Sequence, residues 1–333
     1  MSFPLHRVAT VIPFMEFLRQ SRVPLERELR QARLPVRAMV DPDCFIPSRN
    51  YWTFIANITK RKGMEDLGFR VGLQSGANAA DPGLARKLAR LPTLYQALER
   101  FSKLASTEIS QVALWLEPAE KNTHRLHYRT SYDCEHPAYV HFQWYGLMAM
   151  IGVIRLFTDK HWQPGQIGLA TDETPGKTIR SYFPKTRFHQ GQAHCFISLD
   201  NRLLGKQPRL NEDALLLSPR YLSIKPPAGF IDALKLALCS YLRDEAPSLE
   251  LAADIAGFSP RTLQRRLADE ELTYRELLLV TRHEAALDLL KNTENPITEI
   301  ATLLGYSDSS HFARAFRRIA GVSPREHLKQ HRL

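Results

Sequence analysis

The sequence of 333 residues predicts an α+β N-terminal domain followed by an all-α domain that contains two helix-turn-helix motifs. Three observations lead to this prediction. Residues 1–214 mix apolar patterns of helical and of strand spacing, as α+β domains do. A linker is predicted at 215–228, where Pro219, Pro226 and Pro227 come in close succession before Gly229. In residues 229–333 the predicted elements are all helices, and one helix-glycine-helix pattern occurs twice.

The N-terminal domain is predicted to be mainly helical over its first hundred residues and mixed after residue 108. The predicted helices lie at 6–20, 24–34, 49–61, 94–105, 137–158 and 177–183. The predicted strands lie at 112–116, 126–128, 167–170 and 195–199. A turn near Lys121-Asn122 is expected to join the first two strands. Helices and strands within one unit indicate an α+β domain.

The C-terminal domain opens with a predicted helix at 230–243 and then contains one pattern twice, at 249–259 and at 297–307. In both copies apolar residues recur at i, i+3, i+4 and i+7, which predicts a short helix with one buried face. Gly257 and Gly305 follow these helices, and glycine most easily takes the left-handed conformation that ends a helix.

An aromatic residue and a serine follow each glycine, and the serine is expected to cap a second helix. Pro260 fits the first turn of the first of these helices. The residues expected to face inward are Leu263 and Leu267 in the first copy, and Phe312, Phe316 and Ile319 in the second. Helix, glycine turn and helix is the layout that places its second helix in the DNA major groove.

A connecting helix is predicted between the two copies. Thr273-Tyr-Arg-Glu276 has the capping-box pattern that opens a helix, and the helix is expected to continue to about Leu290. Eighteen helical residues span about 27 Å, and successive major-groove faces on one side of B-DNA lie about 34 Å apart. A rod of this length would place two recognition helices in adjacent grooves.

The segment from 229 to 333 resembles the DNA-binding domain of the AraC/XylS family of bacterial transcription regulators. The residues that carry this resemblance are Ile255-Ala-Gly257-Phe-Ser259, Leu263-Gln-Arg265, Arg282 through Leu290, Pro296-Ile297, Ile300-Ala301, Gly305-Tyr-Ser-Asp308, His311-Phe312, Arg314-Ala-Phe316 and Gly321-Val-Ser-Pro324. The N-terminal part is similar to the branch of ornithine- or virulence-related regulators. The matching features there are Asp41-Pro42, Ile46-Pro47, Gly68-Phe-Arg-Val-Gly72, Thr93-Leu94 with Ala97-Leu98, Phe183-Pro184 and Leu203-Leu204.

The resemblance implies a sequence-specific DNA-binding transcription regulator that responds to an effector, and most members of the family are activators. It implies an effector-binding and dimerisation domain at 1–214, with promoter DNA, RNA polymerase, an unknown small molecule and a second copy of the chain as partners. A repressor or a ligand-independent regulator remains an alternative. A further alternative is an enzyme fused to a DNA-binding module.

The residues expected to contact DNA lie on the outward faces of the two recognition helices. They are Arg261, Thr262, Gln264, Arg265, Ser309, Ser310, Arg314 and Arg318. Arginine pairs with two acceptors on guanine, and glutamine does the same on adenine, so the first helix is expected to read bases. Small hydroxyls discriminate poorly between bases, so the second helix is expected to act mainly through arginine contacts to phosphates.

Composition limits the other functions that the chain could have. The net charge is +10, but residues 229–333 hold 14 Lys and Arg against 15 Asp and Glu, so DNA binding must rest on individual arginines. Four scattered cysteines indicate thiols in a reducing cytoplasm and predict neither a disulfide framework nor a metal site. We expect no cofactor, no membrane span and no enzymatic activity, since no phosphate loop, nucleophile elbow or catalytic carboxylate pair stands out.

Overall fold

The structure is a computed structural model that describes residues 3–78, 83–108, 112–120, 122–130, 133–209, 229–244, 246–293 and 295–331. The chain forms two compact units. The first contains Met1–Val8, Leu29–Asn50 and Pro227–Leu333, and the second contains Ala9–Glu28 and Tyr51–Pro226. The predicted linker at 215–228 lies outside the described residues. The division into 1–214 and 229–333 therefore stays a prediction, and the compact units add two N-terminal segments to the C-terminal helices.

The helices before the predicted linker are α1 (Ile12–Gln20), α2 (Leu25–Gln31), α3 (Ser48–Thr59), α4 (Leu67–Ser75), α5 (Leu84–Leu88), α6 (Leu94–Glu108), α7 (Tyr139–Arg155) and α8 (Lys177–Tyr182). The strands are β1 (Leu5–Arg7), β2 (Phe45–Pro47), β3 (Val112–Ala119), β4 (Thr123–Thr130), β5 (Gln166–Gly168), β6 (Arg187–His189) and β7 (Cys195–Asp200). Every predicted helix and strand has a counterpart here, so the α+β class is confirmed.

The second unit contains a five-stranded sheet in the order β3-β4-β7-β5-β6. Its neighbouring strands are antiparallel except for β5 and β6, which are parallel. Leu126 pairs with Ile197, and both side chains are fully buried. Asn122 has a positive φ of 62° in the turn before β4, a conformation that asparagine tolerates.

Helix α7 is buried on almost every side and packs closely against α4. A Cβ added to Gly68 would lie 1.9 Å from the carbonyl oxygen of His141, and one added to Gly72 would lie 2.6 Å from Cβ of Met148. Since Gly68 and Gly72 are four residues apart, they share one helix face, and only that bare face admits α7 at this distance. The two glycines quoted for the family resemblance therefore have a packing role.

The C-terminal part of the first unit consists of α9 (Phe230–Tyr241), α10 (Leu249–Ala256), α11 (Pro260–Ala268), α12 (Tyr274–Asn292), α13 (Ile297–Leu303), α14 (Ser309–Ala320) and α15 (Pro324–His331). Two separate clusters of buried residues lie in it. The first includes Leu234, Ala253 and Leu263. The second includes Ile300 and Phe312. The predicted helix-turn-helix motifs are thus both present, each with its own core.

The N-terminal segments of the first unit complete the first of these cores. Strands β1 and β2 form an antiparallel pair, and Leu5 and Phe45 are fully buried in the cluster. The Ser240 hydroxyl donates to the Phe45 carbonyl at 2.7 Å and accepts from the Phe45 amide at 3.2 Å. The Tyr241 hydroxyl donates to the carbonyl of Arg33 at 2.8 Å. Residues more than 190 positions apart in sequence therefore fold together.

Two of the sequence predictions are wrong in detail. The helix expected at 6–20 is the strand β1, a short 3-10 turn and then α1, because Pro13 fits only the first turn of a helix. Ile319, expected to face inward, is 40% exposed. It lies in the last turn of α14, where the core formed by Phe312 and Phe316 no longer covers it.

Candidate nucleic-acid interface

The turn of the first motif sets the direction of α11. Gly257 has the left-handed conformation with φ of 74° and ends α10. Ser259 caps α11, since its hydroxyl oxygen accepts from the Thr262 amide at 3.2 Å, as predicted. Leu263 and Leu267 are fully buried, so the opposite face of α11 is held outward.

That outward face carries the polar residues expected to read bases. Arg261, Gln264 and Arg265 are all exposed. The first turn of α11 contains no acidic residue. Among the residues that the structure describes, neither Arg261 nor Arg265 has a carboxylate partner within ion-pair distance, so both guanidinium groups can bind an external acceptor.

Two other residues of α11 have partners within the protein. The guanidinium of Arg266 lies 4.3 Å from the ring centroid of Phe258 and 5.5 Å from that of Phe230, a cation–π arrangement that holds it against the core. Thr262, which we predicted to contact DNA, is half-buried, and its hydroxyl lies 2.9 Å from Ser259 Oγ. A DNA contact by Thr262 stays a prediction.

The turn of the second motif differs from the first in its cap. Gly305 has φ of 71°, but the capping residue of α14 is Asp308, whose Oδ1 accepts from the His311 amide at 2.7 Å. The expected cap, Ser307, instead donates its hydroxyl proton to Asp308 Oδ2 at 3.2 Å. The turn is one residue longer in this copy, so the cap falls one position later. The hydrogen bond from His311 lowers the pKa of Asp308 below its ordinary value.

Helix α14 buries Phe312 and Phe316, whose ring centroids lie 5.8 Å apart. Ser310, Arg314 and Arg318 are exposed, and Ser309 is half-buried. The first turn of α14 contains no acidic residue. The predicted contact residues of both helices therefore lie at or near the protein surface, but DNA contact by each of them stays a prediction.

A groove of about 480 Å³ lies along α12 and α14. It is lined by Arg275, Leu278, Leu279, Arg282, Tyr306, His311, Arg314, Ala315 and Arg318. Arg314 and Arg318 were predicted as DNA contacts, whereas Arg275 and Arg282 were not, because α12 was treated as a spacer. Arg275 and Arg282 are seven residues apart on α12, with Leu278 and Leu279 between them. This spacing is the sequence signal that could have identified the face.

The connecting helix begins as predicted. The Thr273 amide donates to Glu276 Oε2 at 2.8 Å, and the Glu276 amide donates to Thr273 Oγ1 at 3.2 Å, which completes the capping box. Helix α12 is 19 residues long, which corresponds to about 28 Å.

Three of the thiols that the structure describes have raised pKa values. Burial raises the pKa of the Cys44 and Cys195 thiols to about 12 and that of Cys239 to about 11, so these thiols are poor nucleophiles at neutral pH. In the described part of the chain, no group of His, Cys, Asp and Glu side chains is arranged to hold a metal ion. Over the same residues, no helix has the length and apolar character needed to span a membrane.

Two family models match this chain. A helix-turn-helix domain matches residues 252–330, and the N-terminal arabinose-binding domain of AraC transcription regulators matches residues 23–207, more than half of the chain. The chain belongs to the AraC family of transcription regulators. The resemblance on which the sequence prediction rested is thereby confirmed.

Relatives of this AraC-family chain are transcription regulators from bacteria. HTH-type transcriptional regulator VirS of Mycobacterium tuberculosis is 26% identical over 318 residues, covering 90% of this chain and 89% of VirS. HTH-type transcriptional regulator VqsM of Pseudomonas aeruginosa is 43% identical over 98 residues, covering 29% of this chain and 30% of VqsM. The ornithine utilization regulator of the same organism is 43% identical over 81 residues, covering 24% of each chain. This chain thus aligns with only about a quarter to a third of the length of VqsM and of the ornithine utilization regulator.

Solved structures of two regulators align with parts of the chain. The transcriptional regulator CdpR from Pseudomonas aeruginosa aligns with 92% of this chain and 96% of its own, at 22% identity and a TM-score of 0.40. The DNA-binding domain of AdpA, solved with a target DNA, aligns with 31% of this chain and 92% of its own, at 24% identity and a TM-score of 0.28.

Proposed function

We propose that this AraC-family chain binds a specific sequence in promoter DNA and regulates transcription in response to a small molecule. The observation that carries the proposal is the pair of capped recognition helices, α11 and α14, whose buried faces are apolar and whose outward faces are polar and basic. A helix of about 28 Å joins the two motifs. That length is close to the ~34 Å repeat between major-groove faces on one side of a duplex.

The two helices have different roles in this proposal. On α11, Arg261, Gln264 and Arg265 read base edges, because arginine and glutamine make paired hydrogen bonds with guanine and adenine. On α14, Arg314 and Arg318 bind phosphates, which fix position and make affinity depend on salt but carry little sequence information.

The domain predicted at 1–214 is proposed to bind the effector and to form a homodimer, and RNA polymerase is the proposed partner at the promoter. Support for effector binding comes from a groove of about 470 Å³ beside α6 and β3, a size typical of small-molecule pockets. Its walls combine Leu98, Leu116 and half-buried Trp115 with the polar Glu99 and His124. We place the protein in the bacterial cytoplasm, since promoter DNA lies there. Activation is preferred over repression by family precedent alone.

The deciding experiment maps the DNA bound by the protein in cells and then measures binding of the recovered sequence to the purified full chain. We expect enrichment of a few promoter sites and tighter binding to them than to a scrambled duplex of equal length. Arg265→Ala should lose this preference while the protein stays folded. The matched control is Arg100→Ala, an exposed arginine on α6, which should bind like the parent chain. Absence of any preferred site for the parent chain would contradict the proposal.

A further inference from the structure

The groove between α12 and α14 brings together two stripes of residues with the same helical spacing. On α12, Arg275, Leu278, Leu279 and Arg282 occupy positions i, i+3, i+4 and i+7. On α14, the same spacing holds His311, Arg314, Ala315 and Arg318. Residues at this spacing lie on one face of a helix, so the two stripes form facing walls with apolar residues between the charged ones.

The charge in this groove is not neutralised within the described protein. Arg275, Arg282, Arg314 and Arg318 line it, and none of the described lining residues is acidic. None of these arginines has a carboxylate within ion-pair distance among the residues that the structure describes. Several like charges around one concave surface repel one another, and an anion in the groove would relieve that repulsion.

Arg282 is held in place before any ligand arrives. Its guanidinium carbon lies 5.0 Å from the ring centroid of Tyr306. Nη2 lies 3.7 Å from the position that a Cβ on Gly305 would take, so the side chain is seated against the turn of the second motif. Its Nε is buried and has no hydrogen-bond partner in the described protein. Arg282, Arg318 and Tyr306 line the same groove. Burial raises the pKa of Tyr306, and the charges of the two arginines oppose that rise.

The groove lies next to the face proposed to meet DNA. Arg314 belongs both to the exposed polar face of α14 and to the groove lining. Each strand of a duplex carries one phosphate per ~3.4 Å of helix axis, so a recognition helix in the major groove is always bordered by backbone phosphates. The α12 residues of the groove lie beside Arg314 and Arg318, so a phosphate bound by these two arginines would also be near Arg275 and Arg282.

We propose that this groove is a binding site for phosphate oxyanions and that the backbone of the target duplex occupies it. Arg275 and Arg282 of the connecting helix then contact phosphates together with Arg314 and Arg318 of the recognition helix. The connecting helix is thus a part of the DNA-binding surface as well as a spacer. This inference rests on the proposed function and adds two contact residues and a ligand class to it.

The first test measures how the affinity of the full chain for its recovered promoter fragment depends on salt concentration. Each lost phosphate contact should reduce the slope of log affinity against log salt by about 0.9. Arg275→Gln should show this reduction and bind roughly eight-fold more weakly at 0.1 M salt, on specific and scrambled duplexes alike. Arg100→Gln, which removes the same charge from α6, should keep the parent slope.

A substitution of Arg282 needs a control for folding, because the guanidinium also packs on the ring of Tyr306. Arg282→Lys keeps the charge but loses the planar fork, and Arg282→Gln loses both. We expect Arg282→Gln to lower the salt slope and Arg282→Lys to lower it less, at melting temperatures close to the parent's. If Arg282→Gln melts early, Arg275→Gln alone decides the question, since Arg275 is exposed.

The second test separates the duplex from a free phosphorylated ligand. Inorganic phosphate and pyrophosphate are titrated into the DNA-free chain while the melting temperature is followed. If Arg275→Gln leaves the salt slope unchanged, the duplex backbone does not occupy the groove and the proposal is overturned. If, in that case, pyrophosphate stabilises the parent chain but not Arg275→Gln, the groove binds a free anion instead. A parent chain that prefers no DNA sequence overturns the proposed function instead, which is a distinct result.

Discussion

The two helix-turn-helix motifs of this chain share one sequence pattern but differ in what supports them. The first motif has a core that is completed by residues from the other end of the chain, Leu5 and Phe45. The core of the second lies within 285–328 and draws on α12, α13, α14 and α15. Apolar spacing alone could not reveal this difference, because it reports only that one face of each helix is buried.

The motifs also differ in what they present to a ligand. The first exposes Arg261, Gln264 and Arg265, side chains suited to reading bases. The second exposes Ser310 and a stripe of arginines that faces the arginines of α12. A repeated pattern thus specifies the scaffold, while residues outside the pattern determine which side chains each motif exposes.

The largest expected effect is the loss of stability from a substitution in the second core, and it tests whether the two cores unfold independently. Phe316 is 2% exposed and its ring centroid lies 4.9 Å from that of His283 and 5.6 Å from that of His327. Phe316→Ala should cost about 3–5 kcal/mol, because it leaves a cavity in the second core. Hydrogen exchange should show amide protection lost over α13–α15 and kept over α10 and α11. Equal loss in both motifs would show that they unfold as one unit.

The next effect tests the division between base reading and backbone binding. Arg265→Ala should weaken binding to the preferred duplex by about 1–3 kcal/mol and relax the preference at one base pair. Ser310→Ala should change affinity much less. Binding titrations on a panel of single-base variants of the site measure both. A greater loss of preference from Ser310→Ala would reverse the assigned roles.

A smaller effect tests the caps of the two recognition helices. Ser259→Ala should destabilise the chain by about 1 kcal/mol, because it removes the acceptor for the Thr262 amide. Ser307→Ala should stay within about 0.5 kcal/mol, because Asp308 and not Ser307 caps α14. Urea unfolding of the two variants beside the parent chain measures both differences. Equal losses would show that Ser307 supports the cap of α14.

The smallest effect tests how pH acts on the second cap. The pKa of Asp308 is lowered in the fold, chiefly by the hydrogen bond from the His311 amide. The carboxylate cap therefore contributes stability that is complete above the ordinary value of 3.8 and is lost as pH falls through the lower folded pKa. Asp308→Asn keeps an acceptor without the titration.

Thermal unfolding of the parent chain and Asp308→Asn between pH 7 and pH 2.5 measures this contribution. We expect any advantage of the parent to shrink at the acidic end of the range. A difference that stays constant over the whole range would show that the charge of Asp308 adds nothing to the cap.

Several elements could not be predicted because their sequence signals are weak or depend on distant residues. Helix α4 was not predicted, and its role follows from the close approach of α7 at Gly68 and Gly72. Strands β1 and β2 are only three residues each and pair across 40 positions of chain, so neither has a local pattern to detect. The spacing of Arg275 and Arg282 indicates that they share one face of α12, but it does not show that this face meets α14.

The sequence by itself determined the class of the fold, both helix-turn-helix motifs and the caps at Ser259 and Thr273, because these follow from spacing over a few turns of chain. Only the tertiary structure decided that Leu5 and Phe45 complete the first core and that arginines from α12 and α14 share one groove. Such associations depend on which faces meet in space. The free energy of burial and the repulsion of like charges act between residues that the sequence keeps far apart.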